Sequence, residues 1–205
     1  MRALLNGEDM HGNFRQFIID EFKKDPGRPA AKTGNFEQLY EGGAAQLVRI
    51  LAKMRIHITL EMAELIVNGH HKLYKRYHEW GAEEVEEARR NGYAQTLEGR
   101  RRYLPDLYSS DPVVRGGAER AAQNVGVQGT AADIVKRAMI MVQPVLRKYG
   151  GKMLLQVHDE LDGVVPDGID REAFKAEMMA AMEYEINGIK LTVEGGVGKN
   201  WAETH

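Results

Sequence analysis

Apolar side chains recur at helical spacing through nearly all of the first ninety residues. Phe14, Phe17, Ile18 and Phe22 share one face of a helix over 9–24, with Asp9 placed to cap it. The segment "KKDPGRP" breaks that pattern. A second helix then runs from about Pro29 to Tyr40, proline being tolerated in a first turn, and stops at Gly42-Gly43. A third covers roughly 44–54. "LEMAELIVNGHHKLYKRYHEW" reads as one long amphipathic helix, and "AEEVEEARRNG" as another that Asn91-Gly92 ends.

Beyond residue 92 the period changes. "YAQTLEGRRRYL" is a hairpin turning at Glu98-Gly99. From Asp111-Pro112 a helical pattern runs to about Lys148, bent near Val125-Gly126 and disturbed again at Pro144. "LLQVHDELDGVV", residues 154–165, sets His158, Asp159 and Glu160 between two apolar runs, as at the tip of a hairpin of buried strands. A helix over about 170–186 and a last strand, "IKLTVEGGVG", close the chain. The pattern predicts an α+β protein: helices over 1–92, then long helices with antiparallel strands over 93–205.

Composition narrows the classes. A 205-residue chain that is 43% hydrophobic can build the core of one ordinary domain or two small ones. The absence of cysteine excludes disulfides, zinc-thiolate sites and a cysteine nucleophile, and suits a reducing compartment. No apolar run approaches the roughly 20 residues that span a bilayer, and no signal-peptide core follows Met1. An intracellular protein without membrane partners is expected. The net charge of −2 does not by itself attract nucleic acid. The cations are segregated, however. Arg100, Arg101, Arg102, Arg115 and Arg120 form one group, Lys23, Lys24, Arg28 and Lys32 another, and "GAEEVEEA" gathers acids. A local anion-binding face is compatible with that layout, as are solvated helix faces.

Two stripes carry chemistry. Arg28, Lys32, Phe36 and Tyr40 step by four, so they follow one face of the second helix. Cations near the positive helix end and aromatics beyond them suit a ligand with phosphates at one end and a ring at the other. The same spacing fits an amphipathic helix with its aromatics in the core and its cations in water. Arg120, Asn124 and Gln128 step likewise along the long helix, among Ala118, Ala121, Ala122, Gly126 and Gly129. Polar groups on a smooth surface suit reading of the minor groove, or an ordinary polar face beside a packing face. At the hairpin tip, Asp159 and Glu160 are either a solvated turn or a stiffly held grip for a cation. His57, His70, His71 and His78 lie in helical segments without metal-ligand company, and solvated or packing roles are expected for them.

These residues carry a resemblance. "GEDMH", "RPAAKTGNFEQLY", "GRRRYLPD", "AERAAQNVGVQGTAADIVKRAM", "QVHDEL" and "VEGGVGKNWAETH" resemble, in order and approximate spacing, successive blocks of the family A DNA polymerases, the bacterial DNA polymerase I type. The resemblance spans about Asn6 to His205. It implies a helical fingers part over 1–92 and part of a palm over 93–205. It further implies that His11, Arg28 and Lys32 hold the triphosphate of a dNTP, that Phe36 packs on its sugar, and that Tyr40 sits beside the template base. Arg115, Arg120, Asn124 and Gln128 would contact a DNA primer-template, and His158 the primer terminus. Asp159 would ligate two Mg²⁺ ions, with Glu160 a weaker participant and Lys32 completing the catalytic set. Where the family usually has Gly after the tyrosine, this chain has Glu41.

Two-metal phosphoryl transfer wants carboxylates from separate strands, with the ions about 3.5–4 Å apart. The family's first Asp belongs to a block resembling Asp-Tyr-Ser-x-x-Glu, and no such block occurs in this chain. The thumb is missing too. Because the chain begins with Met and ends where the family ends, a naturally separate subunit is expected. A second polypeptide would then bring the first Asp and the thumb, in a bacterial cytoplasm or a phage-infected cell. Competing readings are a polymerase remnant that grips primer-template without catalysis and an unrelated hydrolase using His158, Asp159 and Glu160. Phe rather than Tyr at position 36 implies discrimination against dideoxynucleotides, because a tyrosine hydroxyl can stand in for the absent sugar 3′-OH. Competition between deoxy and dideoxy substrates in primer extension by an assembled enzyme is expected to favour deoxy, and Phe36→Tyr to bring the two closer to parity.

Overall fold

A computed structural model describes residues 9–204. Gly7 and Glu8, which open the "GEDMH" block, and the terminal His205 lie outside the described residues. The chain divides into two compact units, one of Met1–Gln95 with Arg101–Gly126, the other of Thr96–Arg100 with Val127–His205.

Five helices lead the first unit: α1 (Met10–Phe22), α2 (Arg28–Gln38), α3 (Ala44–Lys53), α4 (Leu60–Leu73) and α5 (Lys75–Asn91). Asp9 caps α1 by accepting from the Gly12 N–H at 3.0 Å, and Thr59 caps α4 by accepting from Met62 N–H at 3.1 Å. Phe14 and Ile18 of α1, Ala30 and Ala31 of α2, Leu47 and Leu51 of α3, and Ala63 and Ile66 of α4 form one core. A second core joins Val85 and Ala88 of α5 to Ala94, Leu104 and Leu107, and to Ala118, Ala122 and Val125. Between these last elements run the short strands β1 (Tyr93–Gln95) and β2 (Arg101–Tyr103), and then α6 (Pro112–Asn124). The strands pair antiparallel, as the hairpin reading expects.

One helix was expected over 60–80, yet the chain breaks at Tyr74, with φ −110° and ψ 40°. Neither Gly nor Pro marks the break. Tyr74 packs against the first core, 6.1 Å from the Phe14 ring and 4.6 Å from His70. The turn there lets α5 present Val85 and Ala88 to the second core. His71 and His78 do have company: with Glu41 they form a cluster whose donor atoms all lie within 4.8 Å of one another. The expectation of isolated histidines is corrected for these two.

A π-helical turn, Val125–Gly129, leads into α7 (Thr130–Lys148) of the second unit where a bend was expected. The Thr96–Arg100 loop docks there: Leu97 N–H donates to Thr130 Oγ1 at 3.1 Å, and Arg100 reaches Asp133 at 2.6 Å. Pro144 does not interrupt α7. The carbonyl it leaves without an N–H partner belongs to Ile140, which is exposed and can be met by water. Strands β3 (Lys152–Val157) and β4 (Glu160–Val164) pair antiparallel, followed by α8 (Arg171–Met182). The helix expected to reach 186 stops at 182, and β5 (Tyr184–Ile186) and β6 (Ile189–Leu191) form a hairpin instead. Its turn, Asn187-Gly188, has φ of 51° and 78°, the geometry for which an Asn-Gly pair is the strongest short-range signal. The last strand therefore covers only part of "IKLTVEGGVG". Val142, Leu146 and Phe174 centre the core of this unit.

The fold is α+β, as the pattern implies. Gly34 on α2 decides how closely α2 and α4 approach. A Cβ there would stand 2.3 Å from Ile66 Cγ2 and 3.5 Å from Leu47 Cδ2. Gly34→Ala is expected to cost about 1–3 kcal/mol by overpacking, read as a lower urea midpoint, with partial recovery in Gly34→Ala/Ile66→Val.

Candidate active site

The N-terminal turn of α2 starts from Gly27, whose φ of 77° suits a residue without a Cβ. Asp25 shapes the approach. Its carboxylate accepts from Arg15 Nε at 2.7 Å, from the same guanidinium's Nη2, and from the Gly27 N–H at 2.8 Å. The Arg15 hydrogen bonds first, then the Gly27 N–H, draw the Asp25 carboxyl down from 3.8 to about 2.

Along α2, Ala30, Ala31, Gly34, Asn35 and Gln38 are buried. Arg28, Lys32, Phe36 and Tyr40 all face solvent, with Phe36 48% and Tyr40 41% exposed. The alternative in which the aromatics enter the core is thereby excluded. Tyr40 lies just past the helix, in a turn whose Leu39 carbonyl accepts from Tyr77 Oη at 2.8 Å. His11, on the first turn of α1, joins the row: its ring lies 5.1 Å from Phe36, and its Nδ1 meets Asn35 Nδ2 at 3.1 Å. The Asn35 amide makes Nδ1 the acceptor and so assigns the imidazole proton to Nε2. Burial first, then Lys32, pushes the His11 pKa down, which keeps a neutral ring beside the cations. Arg28 pairs with Asp9 at 3.0 Å, and the Gly12 N–H followed by Arg28 lowers the Asp9 carboxyl. Lys32 makes no ion pair among the described residues. Sequence reading named His11, Arg28, Lys32, Phe36 and Tyr40. It did not name Asn35, Asp25, Arg15 or Tyr77, which orient them and carry no local pattern.

On α6, Arg120 is exposed and Asn124 partly so, one α-turn apart. Arg115 is turned aside, donating to the Ser109 carbonyl at 3.0 Å and lying 3.8 Å from Glu119. Gln128 does not follow Asn124 by one α-turn, because the backbone changes from α to π at Val125. Two of the contiguous arginines are also engaged: Arg100 by Asp133, and Arg101 over the Tyr93 ring at 4.6 Å.

In the second unit His158 and Asp159 make a two-residue loop between Val157 and Glu160. His158 has φ 53°, the positive value a tight hairpin turn requires at its first loop position. His158 and Asp159 are exposed and Glu160 is partly buried. The flanking strands were expected to be buried. Instead Leu154, Leu155, Val157 and Val164 are exposed, Leu154 by 61%.

Residues 1–203 match the family profile of DNA polymerase family A. The chain belongs to that family. It is 41% identical over 207 aligned residues to the thermostable DNA polymerase I of Thermus filiformis, covering 98% of this chain and 24% of that protein. With DNA polymerase I of Deinococcus radiodurans it shares 36% over 212 residues, 99% of this chain and 21% of that one. The chain thus spans about a quarter of the length of such relatives. Among solved structures it is similar to the "POL domain of Pol1 from M. smegmatis complex with DNA primer-template and dNTP", with TM-score 0.80 and 33% identity, over 98% of this chain and 35% of that one.

The Asp25 fork gives a pH dependence. As pH falls, the unfolded chain binds a proton near 3.8 while the folded carboxyl resists until about 2. The contribution is complete above the higher value and lost on the way to the lower. An NMR titration should show the Asp25 carboxyl with a midpoint of about 2. A midpoint at the ordinary value would mean that the fork does not form in solution.

Proposed function

We propose that this chain supplies the nucleotide-binding face and the metal-binding hairpin of a template-directed DNA polymerase, which transfers a nucleotide from a dNTP to a primer 3′-OH. One observation carries the reading: the exposed row Arg28, Lys32, Phe36, Tyr40 on α2, with His11 set against Phe36. The Mycobacterium relative, described as a complex with primer-template and dNTP, supports it. A row of cations ending in rings matches a triphosphate joined to a sugar and base, and the positive end of the α2 dipole adds to the field.

In this reading Arg28, Lys32 and neutral His11 bind phosphate oxygens, and Lys32 stabilises charge that develops as pyrophosphate leaves. Phe36 packs on the deoxyribose and Tyr40 beside the template base. Arg120, Asn124 and Gln128 line the DNA, with Arg115 held back by Ser109, and His158 approaches the primer end. Asp159 offers exposed oxygens from a turn fixed by two strands, with Glu160 next to it, which are donors that a hard cation such as Mg²⁺ takes. Bound Mg²⁺ supplies charge neutralisation for the attacking and leaving oxygens.

The second carboxylate is assigned to polypeptide outside these 205 residues, whether continuous with them or a separate subunit. Asp111 does not supply it, because its carboxylate caps α6 by accepting from the Val113 N–H at 2.8 Å. The exposed apolar residues of β3 and β4 offer such polypeptide a surface to cover. The working compartment on this reading is a bacterial or phage-infected cytoplasm. Among the described residues no helix is long and apolar enough to cross a membrane.

Primer extension by this chain combined with a polypeptide carrying the upstream palm strand and thumb tests the reading. Asp159→Ala should abolish Mg²⁺-dependent extension and leave primer-template affinity nearly unchanged. Lys32→Ala should lower kcat/KM for dNTP by about 10²–10³-fold. A remnant that only grips DNA would bind without extending, and that outcome would overturn the proposal.

A further inference from the structure

We propose that Glu41, His71 and His78 form a binding site for a divalent transition-metal ion of the zinc class, distinct from the Asp159 hairpin. Glu41 follows α2, His71 lies in the last turn of α4, and His78 lies in the first turn of α5. Two imidazoles and one carboxylate, with no thiolate, make a donor set that suits Zn²⁺, Co²⁺ or Ni²⁺; Mg²⁺ and Ca²⁺ prefer all-oxygen shells.

The geometry is partly assembled. His78 Nδ1 and Glu41 Oε1 are 3.0 Å apart, close to the edge of about 3.3 Å that two donors subtend at a tetrahedral ion with bonds of about 2.0–2.1 Å. An ion pair between Glu41 and His78 would account for that contact alone. It would not account for His71, whose ring lies parallel to His78 at 3.6 Å and 17°. The three donor atoms lie within 4.8 Å of one another. Closing on a cation asks a movement of about 1–1.5 Å and a turn of the His71 ring out of its stack on His78, so that its in-plane lone pair meets the ion; the exposed His71 ring can supply both. His78 is held by its other nitrogen: Nε2 meets His70 Nδ1 at 2.9 Å. His70 is itself buried, its ring 5.7 Å from Phe14 and 4.6 Å from Tyr74. A partner on the far nitrogen is what fixes the tautomer and direction of a ligating histidine.

Glu41 is the left-handed residue that ends α2, with φ 54° and the following Gly42 N–H donating to the Glu37 carbonyl at 3.0 Å. That helix end directs the Glu41 carboxylate to His78. An ion there would tie the end of α2 to the α4–α5 junction, beside the Tyr77 hydroxyl that already holds the Leu39 carbonyl. Any consequence for Tyr40 rests on the polymerase reading; metal binding does not.

The test is isothermal titration of Asp159→Ala protein with Zn²⁺, and visible absorption on titration with Co²⁺. The Asp159→Ala background removes the competing hairpin site. One ion per chain is expected, with the absorption of a four-coordinate Co²⁺ centre. Glu41→Gly, which suits the backbone, and His71→Ala, at an exposed position, should each weaken binding at least ~10-fold with far-UV circular dichroism unchanged. His57→Ala should leave it unchanged. Absence of saturable binding, or equal affinity in the parent, Glu41→Gly and His71→Ala proteins, would overturn the proposal. Because the readout is metal binding, neither result bears on DNA synthesis.

Discussion

The contact of α2 with α4 is the constraint on which the proposed nucleotide site depends. Ala30, Ala31 and Gly34 give α2 a smooth side, and Ile66 fills the space that a larger residue at position 34 would need. Once that side is committed to the core, the geometry of an α-helix leaves Arg28, Lys32 and Phe36 facing water. Packing, more than charge, thus aims the row. The Asp25 fork and the positive-φ glycine at position 27 set where the helix begins, and Tyr77 and His78 hold the turn where it ends. An element fixed at both ends and along one side can present flexible cations without moving as a whole.

The first unit has two apolar cores, and the break at Tyr74 allows one stretch of chain to serve both. α4 buries Ala63 and Ile66 in the first, while α5 buries Val85 and Ala88 in the second. The same break sets His70, His71 and His78 close together, because residues on either side of a turn meet as residues along a straight helix do not. His70 occupies the core side of that junction and Glu41 comes to it from α2. A metal-capable group therefore follows from how the helices are divided.

The β3–β4 hairpin solves a different problem. On the proposed reading its carboxylate takes a cation and must be wetted yet still, and a two-residue turn above paired strands meets both needs. Its apolar residues are largely in solvent within this chain. A strand pair with that much exposed apolar surface is suited to being covered by further polypeptide, which accords with the second carboxylate being sought elsewhere.

Much of this was legible from one sequence because it rests on local rules. Period and capping located α1, α2 and α3, the Asp-Pro start of α6, and both early hairpins within a few residues. Four-residue spacing put Arg28, Lys32, Phe36 and Tyr40 in one row, and ordered blocks named the family. The Asn187-Gly188 turn was equally readable, although helical period in the preceding residues masked it. What the sequence left open depended on partners distant along the chain. Which side of α2 is buried was decided by Ile66, where the long helix breaks by the ring of Tyr74 against Phe14, and the company of His78 by Glu41, 37 residues away. Periodicity reports only that a face exists; contacts made in three dimensions determine what it meets.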